Sequence, residues 1–488
     1  MQAKGAPDCG REKVGLDGSS RVEAPQIEVG QQVRSDDVPT ATVIAFLKTR
    51  TGEPPMPQSR RAWMKTAAMG MGGLLASEHN LAAQPVNHAS ALADPRDEIR
   101  ITGLEIIPVN SLRSIFVKMH TEPGITGIGE GTVEGRIPTV VAAIKEIEPY
   151  LIGKDARRPA HHWQAIYRHA FYRGDIVLTS ALGAVDIAMW DIKGKALGVP
   201  IYDLLGGPTR DRIKCYGQAE SVEDTKTHVL AAGYKSMKTS VSATRGRLSR
   251  SSESPYYIDG FVEKVKAIRE LIGPNFDLGI EMHGEHEPPA AMEIIKALEP
   301  FRPWFYEEPI QFQNLPLMAE MAKKTTFPFA TGERMVTKWQ FRDLLTAGAA
   351  QLLQPDVTHV GGITELKAVA ALAEAFYADM LPHSKEGVVG FAASMHVAAS
   401  IPNFLAHEVP SLQAVKGGPP NVDRSPMGKS YIKKPFVMTE GNIVLKGNLD
   451  GPGLGVELDD NLIDNERGIP EWEFPEMWDR VDGSVRDH

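Results

Sequence analysis

Cysteine is almost missing from this chain: its 488 residues include Cys9 and Cys215 and no other. That excludes a disulfide framework and a thiolate zinc site, so any metal must be held by oxygen or imidazole. Basic excess is missing as well. Lys and Arg number 53 against 62 Asp and Glu, a formal charge of −9, and no basic motif of the nucleic-acid-binding kind is present, which argues against such a partner. No apolar run is long enough to span a bilayer, so membrane insertion is not expected. What is there, 42% hydrophobic and 24% charged residues, is the balance of a soluble globular protein. The length calls for two domains plus processing sequence.

Residues 1–55 have neither helical nor strand periodicity and read as disordered or as sequence ahead of the true start. Over 56–93 come Ser59-Arg60-Arg61-Ala62-Trp63-Met64-Lys65, a weakly apolar run at 67–76, and the small residues Ala89-Ser90-Ala91-Leu92-Ala93. This order resembles a twin-arginine export signal, which predicts translation from Met56 and a periplasmic protein; without export the protein is cytoplasmic.

From residue 98 the pattern changes. Runs at 99–108, 114–120 and 127–131, the last two joined by the turn Glu122-Pro123-Gly124, predict antiparallel strands, and helical patterns follow over 138–150, 161–171 and 178–197. Strands followed by helices make 98–212 an α+β domain. The segment 411–488 returns to loops and short strands, at 442–446 and 453–458, and is expected to pack back on that domain. Between them, over 213–410, short apolar runs alternate with helical patterns such as the Leu and Ala stripe of 363–377, which predicts an α/β fold with a TIM-like (β/α) barrel. The long connection at 241–258, with Arg245, Arg247 and Arg250, reads as a lid or as a solvated loop.

An acid or a His closes one apolar run after another. Glu281, Glu307 and Glu333 are 26 positions apart, and the steps onward to Asp356, His383 and Glu408 are 23, 27 and 25, each about one strand plus one helix. Catalytic groups of such barrels sit at the C-terminal ends of the strands, so these side chains are predicted to share one mouth. Three carboxylates there raise each other's pKa unless a cation lies among them. A ligand set without Cys or His suits Mg²⁺ better than Zn²⁺. His383, with Asp356 one unit earlier, suits a general base, because imidazole titrates near the working pH and a carboxylate orients it. His359 reads as structural.

These residues, taken with Gly183-Ala184-Val185-Asp186-Ile187-Ala188-Met189-Trp190-Asp191-Ile192-Lys193 and Pro452-Gly453-Leu454-Gly455-Val456, resemble the enolase superfamily. Within it the likeness is to the mandelate racemase subgroup and its sugar-acid dehydratases of the galactonate dehydratase type, and it runs from residue 99 to the C-terminus. The resemblance implies a (β/α)7β barrel capped by an α+β domain that the N-terminal part and the C-terminal segment form together. It also implies that Glu281, Glu307 and Glu333 bind Mg²⁺ and that His383, paired with Asp356, removes the proton next to the substrate carboxylate. Glu408 then hydrogen-bonds the carboxylate or enolate, for which it must be protonated or bridged by a protonated neighbour. His283, two positions past the first ligand, protonates the departing β-hydroxyl, on the expectation that residues two apart on a strand share a face. Lys238 and Glu308 are the candidate substrate-binding residues, Lys238 by neutralising the carboxylate.

Two positions depart from the family's pattern. The first ligand is normally Asp, and Glu281 is one methylene longer, so the local backbone must retract or the site weaken. The subgroup's Lys-x-Lys reads Lys238-Thr239-Ser240, and loss of the second lysine favours a one-base elimination over racemisation. The expectation is therefore an Mg²⁺-dependent hydro-lyase, homo-oligomeric, that converts a small sugar acid such as galactonate or gluconate to its 2-keto-3-deoxy product. Two other readings stand beside it: an epimerase or racemase of a hydroxy acid or amino-acid derivative, and a catalytically silent sugar-acid-binding regulator, since fold does not fix function. Residues near Asn110, Glu134 and Arg245 are expected to set the sugar's configuration.

Overall fold

Strands β1 (Ile101–Val109), β2 (Ser114–Thr121) and β3 (Thr126–Gly131) form an antiparallel sheet in that order, with Val109 opposite Ser114 and Ile115 opposite Gly131. The computed structural model describes residues 97–109, 114–169, 171–241, 256–384, 387–409, 431–465 and 467–469. The segment 56–93 that reads as an export signal, the stretch 1–55, Asn110 and most of the 241–258 connection with its arginines lie outside the described residues. Alternation assigns the two faces of the sheet. Ile115, Val117 and Met119 enter a core shared with helices α1 (Ile137–Leu151), α2 (Pro159–His169) and α3 (Ile176–Leu197), while Phe116 and Ile128 join the core that continues into the second part of the chain.

The cap is built around α3, in which every residue of 179–192 is buried. A helix buried on all sides has no polar stripe to show, and this one is central. It lies directly on β3 because Gly127 and Gly129 carry no side chain: a Cβ there would stand 2.2 Å from the Ala188 carbonyl oxygen and 1.9 Å from that of Ala184. Two acids inside α3 tie it outward. Asp191 accepts from the N–H groups of Ile128 and Leu454, both at 2.9 Å, and from Lys195 Nζ at 2.6 Å. Asp186 accepts from Thr364 N at 3.0 Å and Oγ1 at 2.6 Å, and burial pushes its pKa up to about 7.

After the short α4 (Ile201–Leu204), the chain runs through β4 (Arg212–Gln218), α5 (Val222–Asp224), β5 (Ser236–Ser240), α6 (Tyr256–Ile272), β6 (Asp277–Glu281), α7 (Pro288–Leu298), β7 (Tyr306–Glu307), α8 (Leu315–Ala322), β8 (Phe329–Thr331), α9 (Thr337–Ala347), β9 (Leu352–Leu353), α10 (Val357–Val360), α11 (Gly362–Ala375), β10 (Asp379–Met380), α12 (Val388–Ser400) and β11 (His407–Glu408). Each strand pairs in parallel with the next from β4 to β10, Phe404 bridges Met380, and β11 pairs with β4. This is a closed (β/α)7β barrel under an α+β cap. Among the described residues no helix is long and apolar enough to cross a membrane.

The C-terminal segment is shared between both parts, where sequence reading gave it to the cap alone. Of β12 (Met438–Thr439) and β13 (Asn442–Val444), β13 adds antiparallel to β4 of the barrel, with Ile443 opposite Ile213. Farther on, Gly453 bridges Pro200, and Lys118 Nζ of the cap lies 2.5 Å from Asp460 in α13 (Asp460–Asp464). Residues 453–458 are a turn with isolated bridges rather than a strand, since Gly453 and Gly455 both adopt φ of +70°.

Candidate metal and acid-base site

Two layers of inward side chains fill the barrel. The lower is apolar, with Tyr216, Phe305, Ala330, Leu352, Leu381 and Ala406 packed together. Gly279 leaves room there for the Phe305 ring, which would come within 2.4 Å of a Cβ at that position. Side chains two positions along a strand point the same way. Two positions past these residues stand Gln218, Glu281, Glu307, Gly332, Gln354, His383 and Glu408, so the C-terminal rim is a polar layer above an apolar plug.

One ligand candidate breaks that register. Glu281 stands opposite Glu307, but Glu307 stands opposite Ala330, so the inward position after β8 belongs to Gly332. Its φ of +138° is open to glycine alone and turns the chain, bringing Glu333 to the mouth. The even spacing of 26 thus reflects the lengths of helices and loops, not strand register. The result is convergence: one oxygen each of Glu281, Glu307 and Glu333 lies within 4.8 Å of the others.

Lys238 enters this cluster from β5. Its Nζ is 2.9 Å from Glu307 Oε1, 2.9 Å from Glu408 Oε1 and 3.5 Å from Glu281 Oε1. Burial works against its charge, yet Glu281, Glu307 and Glu408 together hold its pKa well above the usual lysine range. Lys238 is thus the cationic neighbour of Glu408. Glu408 also accepts from Ser384 N at 3.1 Å. Glu307 is pushed up to about 8 by burial, with Lys238 opposing and the other carboxylates adding. Glu333 goes down, because His383, His283 and Lys238 outweigh its burial. Glu281, despite its extra methylene, lies in the cluster and accepts from Gln218 Nε2 at 3.2 Å.

The histidines flank the carboxylates. His383 Nδ1 is 2.8 Å from Asp356 Oδ2 and its Nε2 is 3.3 Å from Glu333 Oε2. Asp356 is itself fixed as the N-cap of α10, where Oδ1 accepts from Thr358 N at 2.8 Å and Thr358 Oγ1 at 2.5 Å. Burial disfavours the His383 imidazolium, but Glu333, Asp356 and Glu408 lift its pKa to about 10. On the other side His283 Nε2 is 2.6 Å from Glu281 Oε1, and against burial that carboxylate lifts it to about 9. The strand argument for His283 does not hold: β6 ends at Glu281, and a φ of +52° at His283 folds the side chain back instead.

Glu308 is paired within the protein. Both its oxygens are engaged by the Arg334 guanidinium, at 3.1 and 2.7 Å, and Arg334 also donates to Gln311 Oε1 and the His283 carbonyl. Its φ of +42° turns the side chain to that partner and away from the strand's alternation. His359 Nδ1 lies 3.3 Å from the Glu333 carbonyl, steadying the third carboxylate. Sequence reading missed Gln218, Thr358, Ser384 and Arg334. Thr358 alone had a signal, the Asp-x-Thr pattern of a helix N-cap.

The residues fit a hard divalent cation. The donors are all carboxylate oxygens, Glu307 Oε2 is buried without a hydrogen-bond partner among the described residues, and three carboxylates surround one ammonium. Residues 220–462 match the family profile described as enolase C-terminal domain-like, and residues 94–206 match that of the mandelate racemase / muconate lactonizing enzyme N-terminal domain. The chain is 37% identical over 379 residues to D-galactonate dehydratase of Xanthomonas oryzae pv. oryzae, covering 76% of this chain and 96% of that protein. It is equally 37% identical, over 381 residues and with the same coverage of 76% and 96%, to D-galactonate dehydratase of Pectobacterium atrosepticum. Among solved structures, an enolase from Agrobacterium radiobacter with bound sodium and L-malate matches with a TM-score of 0.71 at 27% identity, over 80% of this chain and 100% of that one. A mandelate racemase/muconate lactonizing enzyme-like protein from Rubrobacter xylanophilus matches at 0.69 and 28%, over 76% and 98%. Barrel, cap and sequence kinship agree: the chain is a hydro-lyase that belongs to the mandelate racemase / muconate lactonizing enzyme family of the enolase superfamily.

Proposed function

We propose that the protein is an Mg²⁺-dependent dehydratase of a sugar acid, with galactonate the first substrate to try because relatives named for it share 37% of their aligned residues. The observation that carries this reading is the pair of imidazoles on opposite flanks of one carboxylate cluster, His383 beside Glu333 and His283 beside Glu281. An elimination needs one group to take a proton and another to give one. A site with both can do each.

In this reading Glu281, Glu307 and Glu333 hold the ion, and bound Mg²⁺ supplies positive charge at the substrate carboxylate, where negative charge develops. Asp356 engages Nδ1 of His383, and a cation held by Glu281, Glu307 and Glu333 would offset the Glu333 charge that lifts this imidazole, so that Nε2 could shed its proton and take the α-proton. The electron pair of that C–H bond becomes the second Cα–Cβ bond as the β C–O bond breaks. His283 passes its proton to the departing oxygen, water leaves, and the enol tautomerises to the 2-keto-3-deoxy acid. Lys238, bridged to Glu307 and Glu408, is the cation that meets the substrate carboxylate, while Glu308 orients Arg334. A single lysine at 238–240 supports elimination over two-base racemisation.

Incubating metal-loaded protein with a panel of aldonic acids in D₂O tests the reading. Formation of a keto acid with loss of water is expected. Deuterium at the α-carbon without loss of water would make the protein an epimerase, and neither change on any acid would make it a silent binder. His383→Asn is expected to lower turnover at least about 10³-fold while leaving the circular dichroism spectrum and melting temperature near wild type. A fully active variant would remove His383 from the mechanism.

A further inference from the structure

One buried carboxylate of the cap bonds chiefly to the barrel. Glu130 in β3 has no exposed surface. Its oxygens accept from the Ser114 hydroxyl and from the backbone N–H groups of Gly387 at 2.5 Å, Val389 at 3.0 Å and Gly390 at 2.9 Å. Those three N–H groups lie at the start of α12, where a helix leaves its first donors unsatisfied and where negative charge is favoured. Glu130 therefore closes the N-terminus of a helix 257 positions away in sequence.

That helix follows the segment carrying His383. Below His383, Leu381 N donates to the Leu353 carbonyl at 2.8 Å. Beside it, Glu408 N donates to the Pro382 carbonyl at 3.3 Å and Ser384 N donates to Glu408 Oε2 at 3.1 Å, and farther along Gly387 N donates to Glu130. Among the described residues the barrel thus anchors this segment around His383, and the cap anchors it at Gly387. We propose that Glu130 is a positioning residue, through which the cap holds the His383 segment so that the imidazole keeps its place between Asp356 and the carboxylate cluster. The consequence for catalysis rests on His383 being the base. The cap then completes the support of the group that attacks the substrate.

The test uses the full-length, metal-loaded protein. Glu130→Gln keeps the shape but turns an acceptor into a donor facing backbone N–H groups. Gly387→Ala attacks the same contact from the other side, because its Cβ would lie 2.6 Å from Glu130 Oε1; it decides the matter if Glu130→Gln does not fold. In both, kcat for dehydration is expected to fall about 10- to 100-fold with KM and Mg²⁺ affinity within about threefold of wild type. Amide hydrogen exchange in the peptide 381–392 is expected to speed at least about tenfold, with α9 unchanged. Unaltered kcat beside faster exchange would reduce Glu130 to a structural tie, as would a loss explained wholly by KM or metal affinity. Unaltered exchange would remove the clamp itself. Should the wild-type protein dehydrate no sugar acid, the functional reading fails, and exchange in 381–392 alone then upholds or rejects the clamp.

Discussion

His396 has each ring nitrogen committed to a different partner. It is wholly buried in α12, Nδ1 accepts from Tyr202 N at 3.2 Å, and Nε2 lies 3.1 Å from the Leu454 carbonyl, to which it donates. A second proton would set Nδ1–H against the Tyr202 N–H, and burial pushes the pKa down to about 4. Because the folded value lies below the unfolded one of about 6.5, the unfolded chain binds the extra proton first as the pH drops. The stability this histidine protects is full above about pH 6.5 and is lost as the pH falls towards 4. Calorimetry at pH 7.5 and 5 should show wild type losing more stability than His396→Gln, although the variant starts about 1–3 kcal/mol lower at pH 7.5. Equal losses would exclude His396 as a source of acid sensitivity. The same commitment of partners explains Glu308, whose engagement by Arg334 nothing in the local sequence announced.

Packing of α3 on β3 is a contact between backbones. Glycines at 127 and 129 recur with the strand's period of two, and Ala184 and Ala188 recur with the helix's period of about four, so both small stripes are legible in the chain itself. Their meaning is not, because either stripe alone could equally be a weak element. Gly129→Ala would put a Cβ 1.9 Å from the Ala184 carbonyl oxygen, and backbone cannot yield as a side-chain tip can. The variant should lose about 3 kcal/mol or more, read as a lowered melting temperature or loss of folded protein. Gly103→Ala, with nothing within 4 Å of its Cβ, should stay within about 0.5 kcal/mol of wild type. Similar values for the two would show that the helix can lift off the strand at little cost.

At the scale of the whole molecule, the rim gathers carboxylates from β6, β7 and β11 around one lysine, with Glu333 of the β8–α9 turn beside the first two. A cation that binds only where these strands are assembled stabilises the assembled state. Thermal unfolding should shift upward with added Mg²⁺, by about 2.7 kcal/mol at a hundred times the dissociation constant. Glu307→Gln, which removes the central donor, should abolish most of that shift. A melting temperature indifferent to millimolar Mg²⁺ and to chelator would leave the cluster without its metal.

Sequence by itself determined the residue types and their order: apolar runs closed by Glu281, Glu307, Asp356, His383 and Glu408, alternating with helices, are enough for a barrel with titratable side chains on its rim. Those signals are local, written within one strand or one helical turn, and local periodicity survives folding. Only the tertiary structure decided the rest. Glu333 reaches the mouth because Gly332 turns a register that spacing could not show, and His283 returns to Glu281 through a left-handed residue rather than along a strand. β13 completes the edge of β4, and Glu130 finds the start of α12 from more than half the chain away. Such pairings depend on which distant surfaces meet, and a carboxylate's partner across that distance is set by packing, not by its neighbours in sequence.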